Sequence, residues 1–317
     1  MTTNKIWRKI SAFNSSTRRW APLPLGKRNA QRQVTQIPRP LTITSWNIDA
    51  LSSRPVLRAR HLLSHILEEQ RSSDIIFLQE VNLDVRSSIL NDPRVRSAFL
   101  TTDAEDQKAF EGVPFATMTL LSSARFASSL DSQREGETEG GAREKLELGR
   151  VFRVTLPSKY GRDGLCVEIV PPTAPDKVLR LVNVHLDSFW DSLPYRAQQL
   201  EILADVLREP GCSGGIIAGD FNAVTAEDQE LLEKNGLVDT WLALHERGNL
   251  DAATWDVGVE RRDRRGPRRL DKVAMLGLEA CKMEVLRPGF IGSPIPGGES
   301  IDSPWSDHCG LRCTFTI

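Results

Sequence analysis

The stretch IIAGDFNAV (residues 216–224) places an acid and an amide one residue apart, directly after a run of small and β-branched apolar residues. Such a run is typical of a strand that is buried on both faces of a sheet. The end of a buried strand is rigid while the loop that follows it is open to solvent, and active sites are often built there. Asp220 and Asn222 are therefore candidate functional residues, although both residue types also form ordinary turns.

Similar apolar runs recur along the chain and predict further strands. They are LTITSWN (41–47), DIIFLQEV (74–81), PFATMTLL (114–121), GLCVEIV (164–170), VLRLVNVHL (178–186), GGIIAGD (214–220), RLDKVAML (269–276) and CGLRCTFTI (309–317). Helices are predicted from Pro55 to about Gln70, from Ser192 and Pro194 onward, and from the Thr225–Asp228 capping pattern to a point before Gly236. Strands spread through the chain with helices between them indicate one α/β domain of two packed sheets flanked by helices.

The composition of the 317 residues excludes several classes of protein. A hydrophobic content of 40% and a charged content of 26% are typical of globular proteins. No apolar run approaches the roughly 18 residues of a membrane span, and no apolar signal core is present, so we expect an intracellular protein that does not bind membranes. The five cysteines show no disulfide framework and are expected to be reduced thiols. A net charge of −1 argues against a uniformly basic nucleic-acid binder.

Residues 1–38 differ from the rest of the chain in charge, because no acidic residue precedes Asp49 whereas basic residues are frequent. Such a segment is typical of a mitochondrial presequence, a nuclear localisation signal or a nucleic-acid-binding arm. It is equally typical of a poorly structured tail whose Trp7 and Trp20 pack on the domain surface, and we favour this interpretation. We therefore expect a basic, largely irregular leader over 1–38 and one folded domain over 39–317, in the nucleus, the cytoplasm or the mitochondrion.

Two polar stretches interrupt the pattern of strands. DSQREGETEGGAREKLE (131–147) predicts a long mobile loop between strands. RRDRRGPRR (261–269) predicts either a solvated loop or a segment that grips a nucleic-acid backbone. In the second case the candidate contacts are Arg261, Arg262, Arg264 and Arg265.

Polar residues recur at the ends of the predicted strands. Besides Asp220 and Asn222, these residues are Asn47, Glu80, His185, Asp271, Asp307 and His308. Each alone has an ordinary explanation as a turn, a cap or a half-buried histidine. Their repetition at one kind of position indicates that they share one site.

The residue types at this site also predict its chemistry. The chain has no Gly-x-Ser-x-Gly elbow, no Gly-Lys-Ser/Thr loop and no Cys/His cluster suited to zinc. Hard oxygen donors dominate instead, namely Glu80, Asp307, Asp220, Asn47 and Asn222, and such donors suit Mg²⁺ or Mn²⁺. Two histidines and a further carboxylate can bind and neutralise the transition state of phosphate transfer. The residues therefore predict metal-assisted hydrolysis of a phosphate ester.

Six motifs, in this order, resemble those of the exonuclease–endonuclease–phosphatase superfamily, which has the DNase I-like fold. They are SWNI, LQEV, NVHLDS, GDFNAV, RLDK and SDHCGL, and the resemblance covers residues 41–317. The sequence also resembles tyrosyl-DNA phosphodiesterase 2 in TSWNID, SKYGRDGLCVEI, HLDS, TWDV (254–257) and SDHCGLRC. The resemblance implies a four-layered α/β sandwich, a catalytic domain over 39–317 and Mg²⁺-dependent hydrolysis of a phosphodiester.

The resemblance also implies roles for the residues near the water and the metal. Asn47 and Asp220 hold or activate the attacking water, and Asn222 positions Asp220 and the phosphate. Glu80 is the main metal ligand. Asp307 is a metal-shell or water-orienting residue.

Further roles concern the substrate. His308 and His185 contact the scissile phosphate, and Asp271 fixes the tautomer of His308. Trp255 resembles the aromatic wall of a nucleic-acid groove on which a base can stack, the alternative being a core tryptophan.

The sequence departs from the tyrosyl-DNA phosphodiesterases at two places. Ala223, Val224 and Thr225 follow GDFN where a Leu-Arg-Asp stretch is expected, so an arginine that contacts phosphate is absent. Pro114 and Phe115 stand where a tyrosine is expected. These departures weaken the expectation of tyrosyl-DNA specificity and leave that of phosphodiester hydrolysis intact.

The leading hypothesis is a monomeric DNA-directed phosphodiesterase that removes a 5′ adduct, with tyrosine as leaving group. An abasic-site or nonspecific nuclease, an mRNA deadenylase and a small-molecule phosphoesterase keep the fold and change the substrate. A catalytically inactive binding module is the alternative from another class. The presence of Glu80, Asp220 and His308 argues against it, because a scaffold has no need of clustered carboxylates.

Overall fold

The computed structural model describes residues 4–24, 39–68, 73–127, 145–245, 252–257, 266–293 and 301–317. In chain order the strands are β1 (Lys5–Arg8), β2 (Ile10–Asn14), β3 (Arg19–Pro22), β4 (Leu41–Asn47), β5 (Ile75–Val81), β6 (Phe99–Thr102), β7 (Ala116–Ser122), β8 (Phe126–Ala127), β9 (Leu146–Thr155), β10 (Asp163–Val170), β11 (Val178–His185), β12 (Cys212–Asp220), β13 (Val238–Asp239), β14 (Asp271–Leu276), β15 (Glu279–Leu286), β16 (Phe290–Ser293), β17 (Ile301–Pro304) and β18 (Gly310–Thr316). The helices are α1 (Pro55–Glu68), α2 (Leu83–Asn91), α3 (Pro93–Ala98), α4 (Leu193–Arg208), α5 (Leu231–Lys234) and α6 (Thr240–Leu244). Short 3₁₀ turns lie at Lys108–Phe110, Trp190–Ser192 and Glu227–Gln229.

Most of the described strands form two eight-stranded mixed sheets. The first sheet has the order β1-β9-β10-β11-β12-β14-β13, with β8 beside β9. The second sheet has the order β15-β18-β4-β5-β7-β6-β2-β3. Each sheet has a parallel pair near its centre, β11 with β12 in the first and β4 with β5 in the second. β16 and β17 form a separate antiparallel ribbon.

The two sheets pack face to face because their central strands are apolar on both sides. In the second sheet, Phe77 belongs to the core between the sheets, whereas its neighbour Leu78 packs with α1, α2 and α3. In the first sheet, Ile216 lies between the sheets and Ile217 packs against α4. The alternation gives helices, sheet, sheet and helix in succession, which confirms the predicted four-layered α/β sandwich.

The elements predicted from the apolar runs are present, with small shifts at their ends. The strand predicted from DIIFLQEV begins one residue later, at Ile75, and the Asp74 carboxylate accepts a hydrogen bond from the backbone N–H of Thr42 at 2.9 Å. The predicted third helix is instead a 3₁₀ turn followed by the short α5. Its capping residue Asp228 accepts from Thr225 and also pairs with Arg196 of α4 at 2.7 Å. None of the described helices is long and apolar enough to span a membrane.

The N-terminal segment corrects one expectation. Lys5–Pro22 is not irregular, because it forms β1, which extends the first sheet beside β9, and β2 and β3, which extend the second sheet beside β6. Two of its basic residues pair with acids that are distant in sequence, Lys5 with Glu209 and Arg8 with Asp103 at 3.4 Å. Trp7 packs on Phe152 with ring centroids 5.4 Å apart, as expected for a surface tryptophan.

Several expectations concern residues outside the described ranges. These are the rest of the leader (25–38), most of the predicted 131–147 loop, and Arg261, Arg262, Arg264 and Arg265. The last two residues of the predicted loop, Leu146 and Glu147, are the first residues of β9.

Candidate active site

The predicted strand-end residues meet at one edge of the sandwich. His185 lies beside Asp220 in the parallel pair of β11 and β12, and Asp271 lies opposite Asp220 on β14. Asn47 and Glu80 come from the ends of β4 and β5 in the other sheet. The Nδ2 of Asn47 donates to Asp220 Oδ2 at 3.0 Å and to Glu80 Oε1 at 3.2 Å. One buried amide therefore joins carboxylates from the two sheets.

Glu80 is aimed into the site by an irregularity in β5. The pairing of β5 with β7 shifts between Leu78 and Val81, which is a β-bulge, and Glu80 has a φ of 56°. Bulges redirect side chains at active sites, and a left-handed backbone at a non-glycine residue persists only where surrounding contacts enforce it. Burial, the largest cause, raises the pKa of Glu80 to about 7 against the opposing hydrogen bond from Asn47.

Asp220 is held by the turn that follows its strand. The backbone N–H of Asn222 donates to Asp220 Oδ1 at 2.8 Å, and Asn222 Nδ2 donates to the carbonyl of Leu186 at 2.9 Å. Asn222 has a φ of 48°, which asparagine tolerates better than most residues. Burial raises the pKa of Asp220 to about 6, with His308 opposing the rise and Asp271 adding to it. A carboxylate with such a pKa is suited to accept a proton near neutral pH.

His308 and Asp271 form a hydrogen-bonded pair, with Nδ1 2.8 Å from Asp271 Oδ2. Burial opposes the charge on His308, but Asp271 and Asp220 outweigh it and raise the pKa of the imidazole well above its usual value. The backbone around the pair is also fixed. Thr254 Oγ1 accepts from the N–H of Asp271 at 2.9 Å, and Ser306 Oγ accepts from the N–H of His308 at 3.0 Å. These contacts fix the orientation of His308 and favour its protonated form.

His185 has the opposite charge state. Its ring stacks on Phe115 with centroids 5.4 Å apart and planes 9° from parallel. Burial lowers the pKa of His185 well below its usual value, and Arg162 and His308 lower it further. The Nε2 atoms of His185 and His308 lie 3.4 Å and 3.8 Å from Asp220 Oδ2. The carboxylate of Asp220 thus lies between two imidazoles whose pKa values are shifted in opposite directions. Titratable groups with pKa values shifted apart are typical of acid–base sites.

Arg162 is a site residue that the sequence reasoning missed. Its guanidinium carbon lies 4.7 Å from the ring centroid of Phe115, and its buried Nε has no hydrogen-bond partner among the described residues. Burial lowers its pKa, while Asp220 and Glu80 act in the opposite direction. Arg162 supplies a cation to a site in which the arginine expected after Asn222 is absent. It precedes β10, which runs antiparallel to β11 and so brings its beginning to the edge where His185 lies.

Trp255 and Asp307 lie at the border of the site. Trp255 Nε1 donates to Asp307 Oδ2 at 3.0 Å, and Trp255 forms an isolated bridge with His308. The Asp307 side chain is 27% exposed and lies 3.9 Å from His308 Nε2. Trp255 is half-buried and is therefore not a fully buried core tryptophan.

The oxygen donors around Glu80 fit a hard divalent cation. Carboxylates and amide oxygens are the ligands that such cations prefer, and a cation would offset the burial that raises the pKa values of Glu80 and Asp220. Ligand atoms of Asp220, Asp271 and His308 also lie within 4.8 Å of one another. In this second group the imidazole of His308 is already hydrogen-bonded to Asp271.

The sequence profile of the Endonuclease/Exonuclease/phosphatase family matches residues 44–308. The chain belongs to this family. Its members are divalent-metal-dependent hydrolases that act on phosphodiester bonds, and the chain is an enzyme of this class. The expected kinship with the superfamily is thereby confirmed.

Several solved structures resemble this family member. D. rerio TDP2 complexed with single strand DNA product has a TM-score of 0.59 at 20% identity, over 88% of this chain and 99% of that chain. TDP2 from C. elegans has a TM-score of 0.59 at 20% identity, over 88% and 75%. The human Nocturnin catalytic domain with bound sulfate has a TM-score of 0.52 at 16% identity, over 87% and 93%. No curated protein matches the sequence. At these identities the likeness establishes the fold.

Proposed function

We propose that this enzyme is a Mg²⁺-dependent 5′-tyrosyl-DNA phosphodiesterase that acts in DNA repair. The observation that carries the proposal is the charge arrangement around Asp220. A neutral His185 and a cationic His308 face one carboxylate, and Asn47 links that carboxylate to Glu80. Such a site suits hydrolysis of a phosphodiester. The two imidazoles can bind the phosphate, and a carboxylate can hold a metal ion beside the water that is deprotonated for attack.

Each side chain has a defined task in this proposal. Asp220 orients the attacking water and accepts its proton, because its pKa of about 6 leaves it ionised and basic near neutral pH. Asn47 and the backbone of Asn222 keep its two oxygens in place. His308, as an imidazolium, donates to a phosphate oxygen and neutralises the charge that develops there.

The remaining residues bind the phosphate and the metal. His185 and Arg162 lie beside Phe115 and present donors to the other phosphate oxygens. Mg²⁺ would be held by Glu80 with Asp307 near it, and when bound it supplies Lewis-acid polarisation of the phosphate.

A tyrosine leaving group fits the donors present. A phenol has a pKa of about 10 and departs as a phenolate more readily than a sugar alcohol does. The site therefore needs less proton donation at the leaving oxygen than cleavage of an internal bond requires. The sequence resemblance to the tyrosyl-DNA phosphodiesterases and the structural likeness to TDP2 with bound DNA support this choice.

The test compares three end-labelled substrates with the purified enzyme and Mg²⁺. They are a 5′-phosphotyrosyl oligonucleotide, a duplex with an abasic site and an unmodified single strand. We expect fastest release of tyrosine, a 5′-phosphate product and complete loss of activity in EDTA. Preferential incision at the abasic site, or equal cutting of the plain strand, would assign the enzyme to the nucleases of the same family.

A further inference from the structure

Two large aromatic side chains are exposed beside the active site. Phe189 and Trp190 have 63% and 75% of their surface exposed. They follow β11, which ends at His185, by only a few residues. Exposed rings at such a position bury little apolar surface in the protein, so their contribution to the stability of the fold is small.

The backbone of Phe189 is in a strained conformation, and its side chain is exposed. Phe189 has φ 69° and ψ 160°, a region that only glycine adopts without cost. Arg196 enforces this conformation, because its Nη1 donates to the carbonyl of Phe189 at 2.6 Å and to that of Asp187 at 2.9 Å. Arg196 is itself fully buried and paired with Asp228 at 2.7 Å. A buried ion pair thus maintains an exposed ring in a strained position.

Phe189 continues a row of ring contacts that begins in the active site, and Trp190 is its neighbour in the chain. Phe189 meets Tyr160 edge to face, with centroids 6.1 Å apart. The guanidinium carbon of Arg162 lies 5.7 Å from the Tyr160 ring and 4.7 Å from the Phe115 ring. Phe115 in turn stacks on His185. Phe115 is buried, with 6% of its surface exposed, and supports the row from within the site. The aromatic row is defined as Arg162, Tyr160, Phe189 and Trp190.

We propose that the aromatic row binds unpaired bases of a single-stranded nucleic acid that leads to the scissile phosphate. This inference rests on the proposed function, since it assumes a nucleic-acid phosphodiester at Asp220. Proteins bind single strands by stacking bases on aromatic rings and on arginine planes, and stacking tolerates any sequence because every base has a π-face. Bases inside a duplex are not available for such contacts. The row therefore selects substrates in which the bases next to the reacting phosphate are unpaired.

The charges beside the row favour bases over an anionic membrane. Besides Arg162, which belongs to the row, the cation next to Tyr160 is Lys159, whose ammonium group is paired with Asp191 at 2.8 Å. Binding to anionic lipid requires a cluster of unpaired basic residues around the exposed rings. With Lys159 offset by Asp191, stacking is the dominant attraction that Phe189 and Trp190 offer.

The kinetic test uses Phe189→Ala, Trp190→Ala and the double variant. Each is assayed on a 5′-phosphotyrosyl end with a four-nucleotide single-stranded overhang, on a blunt 5′-phosphotyrosyl duplex and on a p-nitrophenyl ester of a mononucleotide. We expect the double variant to raise KM for the overhang substrate roughly tenfold or more relative to KM for the nitrophenyl ester. Trp7→Ala is the matched control, because Trp7 is 55% exposed and lies on edge strand β1. An unchanged KM ratio in the double variant would overturn the inference and leave the proposed function intact.

A binding test separates the inference from the proposed function. Fluorescence anisotropy with a labelled ten-nucleotide oligothymidine in EDTA needs no hydrolysis. We expect the double variant to bind roughly tenfold more weakly or worse than the wild type. Phe189→Gly should lose binding while keeping or raising Tm, because glycine relieves the strain and removes the ring.

Two outcomes of these measurements contradict the inference. Equal affinity of the wild type and the double variant for oligothymidine is the first. The second is binding to phosphatidylcholine or phosphatidylserine vesicles that the double variant loses while its affinity for DNA is unchanged. If the wild type hydrolyses none of the three phosphodiesters, the proposed function fails, and the anisotropy result still decides whether the row binds bases.

Discussion

Gln79 Nε2 donates to Asn183 Oδ1 at 2.8 Å and joins the two sheets directly beneath the catalytic edge. Both side chains are fully buried. Gln79 precedes Glu80 on β5, and Asn183 lies two residues before His185 on β11. This hydrogen bond therefore helps to fix the strand that carries Glu80 relative to the strand that carries His185.

Asn183→Leu should lower both stability and activity. The substitution removes one of the two acceptors of the buried Gln79 Nε2 and leaves Ser45 Oγ at 3.1 Å, and we expect a cost of roughly 1–3 kcal/mol for the polar groups that lose a partner. It also removes the bond from Asn183 Nδ2 to the carbonyl of Met118 at 3.0 Å. Urea unfolding and kcat on a nitrophenyl ester measure the two effects. The double variant Gln79→Met/Asn183→Leu should recover part of the lost stability, since the Gln79–Asn183 pair is then gone while the carbonyls of Leu78 and Met118 still lack their donor; a single variant as stable as the wild type would show that the bond contributes nothing.

Asp220→Asn should lower kcat, whereas Glu80→Gln should raise the Mg²⁺ concentration that activity requires. Asp220→Asn removes the proton acceptor, so we expect kcat to fall by roughly 10²-fold or more while the Mg²⁺ requirement changes little. Glu80→Gln removes an anionic ligand, so the Mg²⁺ concentration for half-maximal activity should rise most. Titration of activity with Mg²⁺ at saturating substrate separates the two. Near-normal kcat in Asp220→Asn would contradict the role given to Asp220.

Asp271→Asn should move the alkaline limb of the pH profile to lower pH. Asp271 is the largest of the contacts that raise the pKa of His308 against burial. A group with a raised pKa stabilises the folded state at low pH, and this stabilisation is lost as pH rises through its folded pKa. In the variant both the imidazolium and its contribution to stability should disappear at a lower pH than in the wild type. The measurement is log kcat/KM against pH; identical alkaline limbs would mean that His308 does not act as a cation.

Binding of Mg²⁺ should stabilise the enzyme more at pH 8 than at pH 6. The pKa of Glu80 is raised from 4.5 to about 7, so the folded state without metal holds a proton that the unfolded state has lost between these values. Stability without metal therefore falls as pH rises from about 4.5 to about 7. Above that range Glu80 is ionised and ready to bind a cation. Thermal unfolding with Mg²⁺ and with EDTA at both pH values checks this, and Glu80→Gln should show a smaller difference between them.

The sequence predicted the site because most of its residues occupy one kind of position. Asn47, His185 and Asp220 end their strands and Glu80 is the second-last residue of β5, and the pairing of those strands brings the ends to one edge. The bulge that aims Glu80 has no sequence signature of its own, because its φ of 56° falls on a residue type that rarely adopts it.

Other features were missed because their causes are distant in sequence. β1 to β3 are short, and they are stabilised by partners such as β9 and β6 that follow them by many residues. Thr254 looked ordinary, yet its hydroxyl accepts from two consecutive backbone N–H groups, those of Leu270 and Asp271. Propensity cannot reveal a contact that only the folded chain creates.

Arg162→Ala should lower kcat/KM and move the acid limb of the pH profile to higher pH. Arg162 is a cause, after burial, of the lowered pKa of His185, so its loss lets His185 accept a proton at a higher pH than in the wild type. A protonated His185 presents a second positive charge to Asp220 and weakens it as a base, so activity should decline earlier as pH falls. The direct loss of a charge-assisted phosphate contact adds roughly a tenfold decrease in kcat/KM at the optimum.

Arg162→Lys should keep the position of the acid limb, because the charge remains, yet recover only part of kcat/KM, because lysine lacks the planar group that lies over Phe115. Arg150→Ala is the matched control, since that guanidinium carbon lies 5.5 Å from the Trp7 ring on β1. Equal acid limbs in the wild type and Arg162→Ala would show that Arg162 does not control the charge of His185, and an equal loss in Arg150→Ala would attribute the effect to the fold instead of the site.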